Sequence, residues 1–189
     1  VKIYTKASDQ AHLCLGVPSY PLVHPDRYPL QVLATVLGTG MSSRLFTEVR
    51  ERRGLAYYIY AVNHSYTDAG SLFSQAGVDI ERIDEAVTTV VDELRKITDE
   101  AVPSDELEQA KKTMRSSFLD ELDGGMMPRF GRANLLGVFA LFDDDPGRIN
   151  TILDELEKVT VDDVKAAASR WLVPANRTSI DSRPAAKTA

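Results

Sequence analysis

Apolar residues recur with two different periods along this chain, and these periods predict its strands and its helices. The run AHLCLGV, residues 11–17, predicts a strand that a proline-containing turn closes, and the opening VKIY is a candidate partner strand. Residues 26–37 place apolar side chains on one helical face, with Asp26 as a cap and GTG as the stop signal. The chain is therefore predicted to begin with a strand and a helix.

A second predicted helix leads directly into two strand-like runs. It begins at one of the serines at positions 42 and 43 and ends at Arg53, and Gly54 takes the position of a left-handed C-terminal cap. The runs 56–65 and 70–78 favour β-structure, and the turn signal YTDAG separates them. These residues predict a unit of helix, glycine and hairpin.

Beyond Asp79 the apolar period changes from two residues to about 3.6 residues, which indicates helices. The predicted helices cover residues 83–97, 103–122, 129–141 and 146–158, and a last one begins with a capping box of Thr160 and Asp163 and ends near Trp171. The break GGMMP interrupts them, NRTSID is predicted as a final strand, and the tail PAAKTA is predicted to fray. This order predicts one domain over residues 1–189 with an α+β fold, in which helices cover a mixed, mainly antiparallel sheet.

Charge and composition disfavour several functions. The formal net charge of −6 argues against a general nucleic-acid binder, and no apolar run reaches the roughly 18 residues that a membrane span needs. The first residues, VKIYTKASDQ, contain neither an apolar signal-peptide core nor an initiator methionine, so we expect a mature form or an excised piece of a longer protein. The single cysteine, Cys14, and the lack of a signal favour a cytoplasmic location.

The histidines and glycines do not predict a cofactor site. His12, His24 and His64 stand far apart, without the H-x-x-E-H or the i, i+4 pair that zinc sites use. The G-x-G of LGTGMSSRL lies between two predicted helices, where a turn is expected and a dinucleotide-binding loop is not. We therefore expect no metal or other cofactor within this chain.

The stretch TEVRERRGLAYYIYA, residues 47–61, has a structural and a functional interpretation. Basic side chains suit the negative end of a helix dipole and tyrosines suit strands, so stability alone explains both. Alternation along the strand groups Tyr58 and Tyr60 with Val62 on the expected core face, and Tyr57 then points elsewhere. In the functional interpretation, Arg50 and Tyr57 present a cation and a phenol to one site from the two sides of a tight corner.

The segment LGTGMSSRLFTEVRERRGLAYYIYA resembles the inactive C-terminal domain of M16 peptidases, a family that includes insulysin, pitrilysin, the mitochondrial processing peptidase and many bacterial zinc proteases. The resemblance extends over AHLCLGVPSY, DIERIDEAVTTVVDELRKI and PSDELEQAKKTMRSSFL, from about residue 10 to residue 172. It implies two homologous α+β halves that close around an extended peptide. The N-terminal half carries zinc on H-x-x-E-H, a motif this chain lacks, and the C-terminal half contributes an arginine and a tyrosine.

Arg50 and Tyr57 match that arginine–tyrosine pair in spacing and surroundings. The resemblance implies that Tyr57 is a catalytic residue that stabilises the oxyanion formed at the scissile carbonyl, and that Arg50 binds the substrate backbone. It also implies a zinc-bearing N-terminal half or subunit as partner and an extended peptide as substrate. We further expect a homo-oligomer, because a half-domain should expose an apolar face meant for its partner. The alternative is a catalytically inactive peptide-binding or scaffold subunit whose sheet edge captures a peptide.

Overall fold

The computed structural model describes residues 10–123 and 128–182, so VKIY, most of GGMMP and the tail PAAKTA lie outside the described residues. Four strands form the described sheet: β1, Ala11–Ser19; β2, Ala56–Ser65; β3, Gly70–Val78; and β4, Thr178–Ser182. Their order across the sheet is β2-β3-β1-β4, and the three pairings between them are antiparallel. The strands β2 and β4 are therefore the edges of the described sheet.

Helices occupy most of the described chain between the strands. The α-helices are α1, Arg27–Gly38; α2, Ile83–Asp99; α3, Ser104–Asp123; α4, Pro128–Phe142; α5, Ile152–Glu157; and α6, Val161–Trp171. A π-helix, Phe46–Arg52, stands where the second helix was predicted. Residues 146–158, predicted as one helix, divide into the 3₁₀ turn Pro146–Asn150 and α5. The α+β class with a helix-covered, antiparallel sheet is confirmed.

One face of the sheet forms the core together with α1, α2 and α6. Leu13 and Leu15 of β1, Ile59 and Ala61 of β2, and Leu72 of β3 are at most 5% exposed. Burial of one leucine or isoleucine side chain stabilises a fold by about 1.5–3 kcal/mol, as an upper estimate. The opposite face of the sheet carries the more exposed side chains.

The helix α1 crosses β2 at Gly38, where the two backbones come close. A Cβ atom added to Gly38 would lie 2.0 Å from the backbone nitrogen of Ala61 and 2.5 Å from its Cβ. Such contacts require the backbone to move, so a side chain does not fit there. The glycine predicted as a helix stop thus also sets the distance between α1 and the sheet.

The core face of β2 differs from the predicted one. The prediction placed Tyr58, Tyr60 and Val62 in the core, but Ile59 and Ala61 are buried and Tyr60 is 39% exposed. The prediction was wrong because it gave the large aromatic side chains of β2 more weight than the smaller apolar side chains that alternate with them. The close crossing of α1 leaves room only for small residues such as Ala61, so the tyrosines take the opposite face.

Two predicted N-terminal caps have different outcomes. In α6, the N–H of Asp163 donates to Thr160 Oγ1 at 3.2 Å and the N–H of Thr160 donates to Asp163 Oδ2 at 2.8 Å, which confirms the capping box. Asp26 precedes α1, but its side chain caps no backbone N–H of that helix and instead accepts a hydrogen bond from the Tyr20 hydroxyl at 3.3 Å. Asp26 is thus the N-cap residue of α1, as predicted, but its side chain does not cap the helix.

Candidate functional site

The arginine-rich segment of the predicted site forms the wide turns of a π-helix, Phe46–Arg52. Turns of this kind are rare and frequently lie at functional sites. Leu45 and Val49 are fully buried, as the predicted α-helix also required. The apolar pattern is therefore compatible with both helix types and could not reveal the wider turn.

Gly54 ends this helix and turns the chain into β2. Its φ of +58° confirms the predicted left-handed cap. The N–H of Gly54 donates to the carbonyl of Arg50 at 3.1 Å, and the N–H of Leu55 donates to the carbonyl of Val49 at 2.9 Å. In the glycine cap that commonly ends an α-helix, the N–H of the residue after the glycine donates to the carbonyl five residues earlier. Here Leu55 donates to Val49, a longer step that fits the wider turn of a π-helix. We call residues 50–57 the glycine corner.

A β-bulge at the start of β2 determines where Tyr57 lies. Ala56 pairs with Val78 and Tyr58 pairs with Gly77, so Tyr57 is an extra residue opposite no partner. Without the bulge, alternation would place Tyr57 on the core face with Ile59. It is instead 54% exposed. Bulges beside functional sites redirect side chains in this way.

Carboxylates bind three of the four arginines between residues 44 and 53. Glu106 accepts hydrogen bonds from Nε and Nη2 of Arg44, each at 2.7 Å. Glu48 accepts from Arg53 at 3.0 Å and from Arg52 at 3.1 Å. The bond from Arg53 foremost, and then that from Arg52, holds the pKa of Glu48 below its usual value. These three arginines are therefore engaged in stabilising contacts.

Arg50 is the fourth arginine, and its contacts are weaker. Its side chain is 43% exposed, and the nitrogen Nε lies 4.0 Å from the carboxylate of Glu51. The guanidinium carbon lies 4.8 Å from the centroid of the Phe46 ring, a contact that was not predicted from the sequence. The i, i+4 spacing of these two residues was the available signal. The forked donors of Arg50 remain accessible to a ligand.

The three tyrosines of β2 also differ in whether their hydroxyl groups have a hydrogen-bond partner among the described residues. The Tyr58 hydroxyl is hydrogen-bonded to Nδ1 of His12 at 3.1 Å, and the Tyr60 hydroxyl donates to Oε1 of Gln75 at 2.7 Å. Within the described ranges the Tyr57 hydroxyl has no hydrogen-bond partner. Tyr57 is therefore the exposed phenol of this strand that is free to donate.

Arg50 and Tyr57 lie on the two sides of Gly54, as the sequence predicted. In the part of the chain that the structure describes, no hydrogen bond joins the two side chains. Both are substantially exposed, with 43% for the Arg50 side chain and 54% for Tyr57. Their convergence on one ligand stays a prediction.

The described residues contain no grouping of three or more His, Cys, Asp or Glu side chains that could hold a metal ion. Residues 10–123 and 128–182 therefore do not fit the catalytic zinc that the resemblance places in the other half. Among the described helices, none combines the length and apolarity needed to cross a membrane.

A helix-covered antiparallel sheet, in which a helix leads through a glycine corner into a hairpin, is the architecture expected of an M16 peptidase half. Residues 1–114 match the family model of the peptidase M16 inactive domain, so the chain belongs to the M16 family and represents its inactive domain. It is 36% identical over 157 residues to an uncharacterized zinc protease of Bacillus subtilis, covering 82% of this chain and 38% of that protein. The chain thus spans well under half the length of this relative.

Solved structures share the fold. The peptidase M16 inactive domain from Pseudomonas fluorescens superposes with a TM-score of 0.83 at 22% identity, over 95% of this chain and 42% of that one. A periplasmic protease from Escherichia coli superposes with a TM-score of 0.74 at 19% identity, over 95% of this chain and 20% of that one. A fold found in a periplasmic protein does not decide the compartment, so the cytoplasmic location stays a prediction. The single domain over residues 1–189 and the homo-oligomer also stay predictions.

Proposed function

We propose that this chain is the half of a zinc-dependent endopeptidase that binds no zinc and supplies substrate-binding and oxyanion-stabilising residues to peptide-bond hydrolysis. One observation carries the proposal. At the glycine corner, Arg50 and Tyr57 are exposed and make no side-chain hydrogen bond within the described residues, whereas the neighbouring arginines and tyrosines are already bound. A binding site needs donors that are available to its ligand.

Tyr57 supplies a neutral O–H donor. Negative charge develops on the carbonyl oxygen when a peptide bond is attacked, and a donor at about 2.7–3.1 Å from that oxygen stabilises the charge. A phenol is suited to this task, since it donates through its O–H and carries no formal charge that substrate binding must desolvate. The β-bulge that exposes Tyr57 thus has a functional reason.

Arg50 supplies a planar, permanently charged group. Its guanidinium offers parallel N–H donors that match the carbonyl oxygens of an extended peptide backbone. The ring of Phe46 lies 4.8 Å from the guanidinium carbon and limits its motion. Arg50 therefore acts as a substrate-binding residue that aligns the peptide for Tyr57.

The zinc belongs to the H-x-x-E-H half in this proposal. That half lies in the remainder of a longer polypeptide or in a separate subunit, because this chain spans only 38% of its Bacillus relative. The described residues offer no zinc ligand set, so no step at a metal is assigned to this chain.

The substitution Tyr57→Phe in the full-length protein tests the proposal. It removes one hydroxyl group, and turnover of an extended peptide should fall about 10- to 1000-fold, the effect of losing an oxyanion donor. Tyr66→Phe is the matched control, since Tyr66 is 63% exposed in the hairpin turn away from the corner. This control should retain normal turnover.

Two outcomes would overturn the proposal. Normal turnover in Tyr57→Phe would remove the catalytic role of the phenol. A full-length wild-type protein that binds extended peptides without cleaving them would favour the alternative of an inactive peptide-binding or scaffold subunit.

A further inference from the structure

The exposed face of the sheet carries its tyrosines in ordered rows. The strand register aligns Tyr58 of β2, Gly77 of β3 and His12 of β1 in one row. It aligns Tyr60 with Gln75 in the next row. Because side chains alternate between the two faces of a strand, these positions lie opposite the buried core.

The Tyr58 ring lies flat on the sheet. A Cβ atom added to Gly77 would lie 2.4 Å from Cε1 and 2.9 Å from Cδ1 of Tyr58, so the ring occupies the space of the missing side chain. Its hydroxyl reaches the next strand, where it is hydrogen-bonded to Nδ1 of His12 at 3.1 Å. One tyrosine therefore extends across three strands and presents a ring face to the outside.

The Tyr60 ring continues this surface. The two ring centroids lie 6.2 Å apart with an angle of 23° between the ring planes, and the Tyr60 hydroxyl donates to Gln75 at 2.7 Å. We call Tyr58 and Tyr60 the tyrosine platform. Since hydrogen bonds already fix both rings, a ligand that stacks on the platform costs little additional side-chain entropy.

The described strand positions in the rows that continue the platform carry no Asp, Glu, Lys or Arg side chain. Cys14 and Ile180 continue the second row, and Ile180 is 69% exposed. Val62 and Phe73 form the row after it. A bulky aromatic group gains from stacking and apolar burial here, whereas an arginine or lysine would find no carboxylate in these rows.

The platform also lies close to the proposed catalytic phenol. Tyr57 precedes Tyr58 in the chain, and Tyr60 lies about 10 Å further along the strand at about 3.3 Å per residue. That distance corresponds to about three residues of an extended peptide. Hydroxyl, imidazole and amide groups on this face make it more polar than the core of a permanent subunit interface.

We infer that the tyrosine platform is a specificity subsite that binds an aromatic side chain of an extended peptide, within about three residues of the cleaved bond. The inference rests on the proposed function and adds a substrate class to it. Tyr58 and Tyr60 are specificity-determining residues in this assignment, and Gly77 and His12 position Tyr58.

Matched peptides test this subsite in the full-length protein. Each peptide carries Phe, Ala or Arg at one of the positions flanking the cleaved bond, and kcat/KM is measured for each. We expect Phe to be preferred over Ala by about 3- to 30-fold at one position, the size of an aromatic contact with its buried area. The variants Tyr58→Ala and Tyr60→Ala should reduce this ratio towards one, whereas Tyr60→Phe should retain it because the ring remains.

The control is Tyr66→Ala, which removes an exposed tyrosine outside the platform and should leave the Phe-to-Ala ratio unchanged. A ratio that persists in Tyr58→Ala and Tyr60→Ala overturns the subsite, even when Tyr57→Phe still lowers turnover and the proposed function stands. A loss of the ratio together with normal turnover in Tyr57→Phe supports the subsite and overturns the catalytic role instead.

Two further measurements keep the test decisive. Thermal unfolding shows whether Tyr58→Ala still folds. If it does not, the Phe-to-Ala ratios of kcat/KM for Tyr60→Ala and Tyr60→Phe decide the test, because Tyr60 is the more exposed of the two tyrosines. Sedimentation compares the assembly of wild type and Tyr60→Ala. A changed oligomeric state with an unchanged peptide ratio would make this face a subunit contact and overturn the inference, as would a preference for Arg over Phe.

Discussion

Among the places where the described residues hold an arginine against an aromatic ring, two differ in whether a buried carboxylate is present. In the first, which we call the aspartate clasp, Arg27 donates to Asp143 at 2.7 Å and Arg148 lies 3.4 Å from the same carboxylate oxygen. Both guanidinium groups also donate to the Tyr28 hydroxyl. The Arg27 and Asp143 side chains are 9% and 6% exposed. Because Arg27 begins α1 and Asp143 follows the last residue of α4, the clasp joins these two helices.

The second region is the glycine corner. Arg50 lies over an aromatic ring there as well, but its side chain is exposed and its contact to Glu51 is 4.0 Å long. Arg27 is thus distinguished from Arg50 by a short, buried bond to a carboxylate. The sequence could not make this distinction for Arg27, because Asp143 lies 116 positions away from it.

The largest expected effect is on the clasp. Asp143→Ala leaves two arginines near a buried site without their shared anion, and removing one partner of a buried ion pair costs about 3–5 kcal/mol. We expect the free energy of unfolding, measured by chemical denaturation, to fall by that amount. Asp120→Ala, at an exposed position of α3, is the control and should change it by less than about 0.5 kcal/mol. Equal effects of the two substitutions would show that the clasp contributes nothing beyond an ordinary surface charge.

A pair of arginine substitutions sharpens the comparison within one helical segment. Arg44→Ala removes two charge-assisted bonds of 2.7 Å to Glu106 and should lower the free energy of unfolding by about 1.5–3 kcal/mol. Arg50→Ala should leave it within about 0.5 kcal/mol of wild type and should instead lower kcat/KM for an extended peptide. Unchanged kinetics in Arg50→Ala would remove Arg50 from the substrate site.

Local patterns predicted much of the fold. Hydrophobic periodicity located β1, the hairpin, and the long helices α2 and α3, because each repeats one period over many residues. The capping box of Thr160 and Asp163 was visible because both partners lie within one turn. Gly54 was assigned its left-handed conformation from its place between helix and strand.

Other features depend on contacts between distant segments. The bulge that exposes Tyr57 exists only in the register between β2 and β3, and the tyrosine face was misplaced because the tight crossing at Gly38 is a tertiary contact. The candidate pair of Arg50 and Tyr57 came from a family resemblance, since residue chemistry alone left the structural interpretation open. The structure adds that, among the described residues, the neighbouring arginines and tyrosines form side-chain hydrogen bonds, whereas Arg50 and Tyr57 do not.

Two glycine substitutions that should change the free energy of unfolding in opposite directions test the glycine corner. Their expected effects are smaller than that of Arg44→Ala. Gly54 has a φ of +58°, so Gly54→Ala should lower the free energy of unfolding by about 1–2 kcal/mol. Gly137 lies inside α4, and a Cβ atom added there meets nothing within 4 Å. Gly137→Ala should therefore raise the free energy of unfolding by about 0.5–1 kcal/mol. If both substitutions acted with the same sign, the left-handed backbone at Gly54 would not be the cause.

The smallest effect concerns a carboxylate that, unlike Asp143, lies at the surface. Hydrogen bonds from the Thr160 hydroxyl first, and then from its backbone N–H, lower the pKa of Asp163. Because the folded-state pKa is the lower one, this contribution to stability is present above the unfolded value of about 3.9 and is lost as the pH falls through the folded value. At pH 7, Asp163→Ala should lower the free energy of unfolding by about 0.5–1 kcal/mol, the low end for a cap, since the side chain is exposed. Denaturation curves of both proteins from pH 7 down to about pH 3 should show this difference shrinking below pH 4. A constant difference over that range would mean that the carboxylate charge does not contribute to the cap.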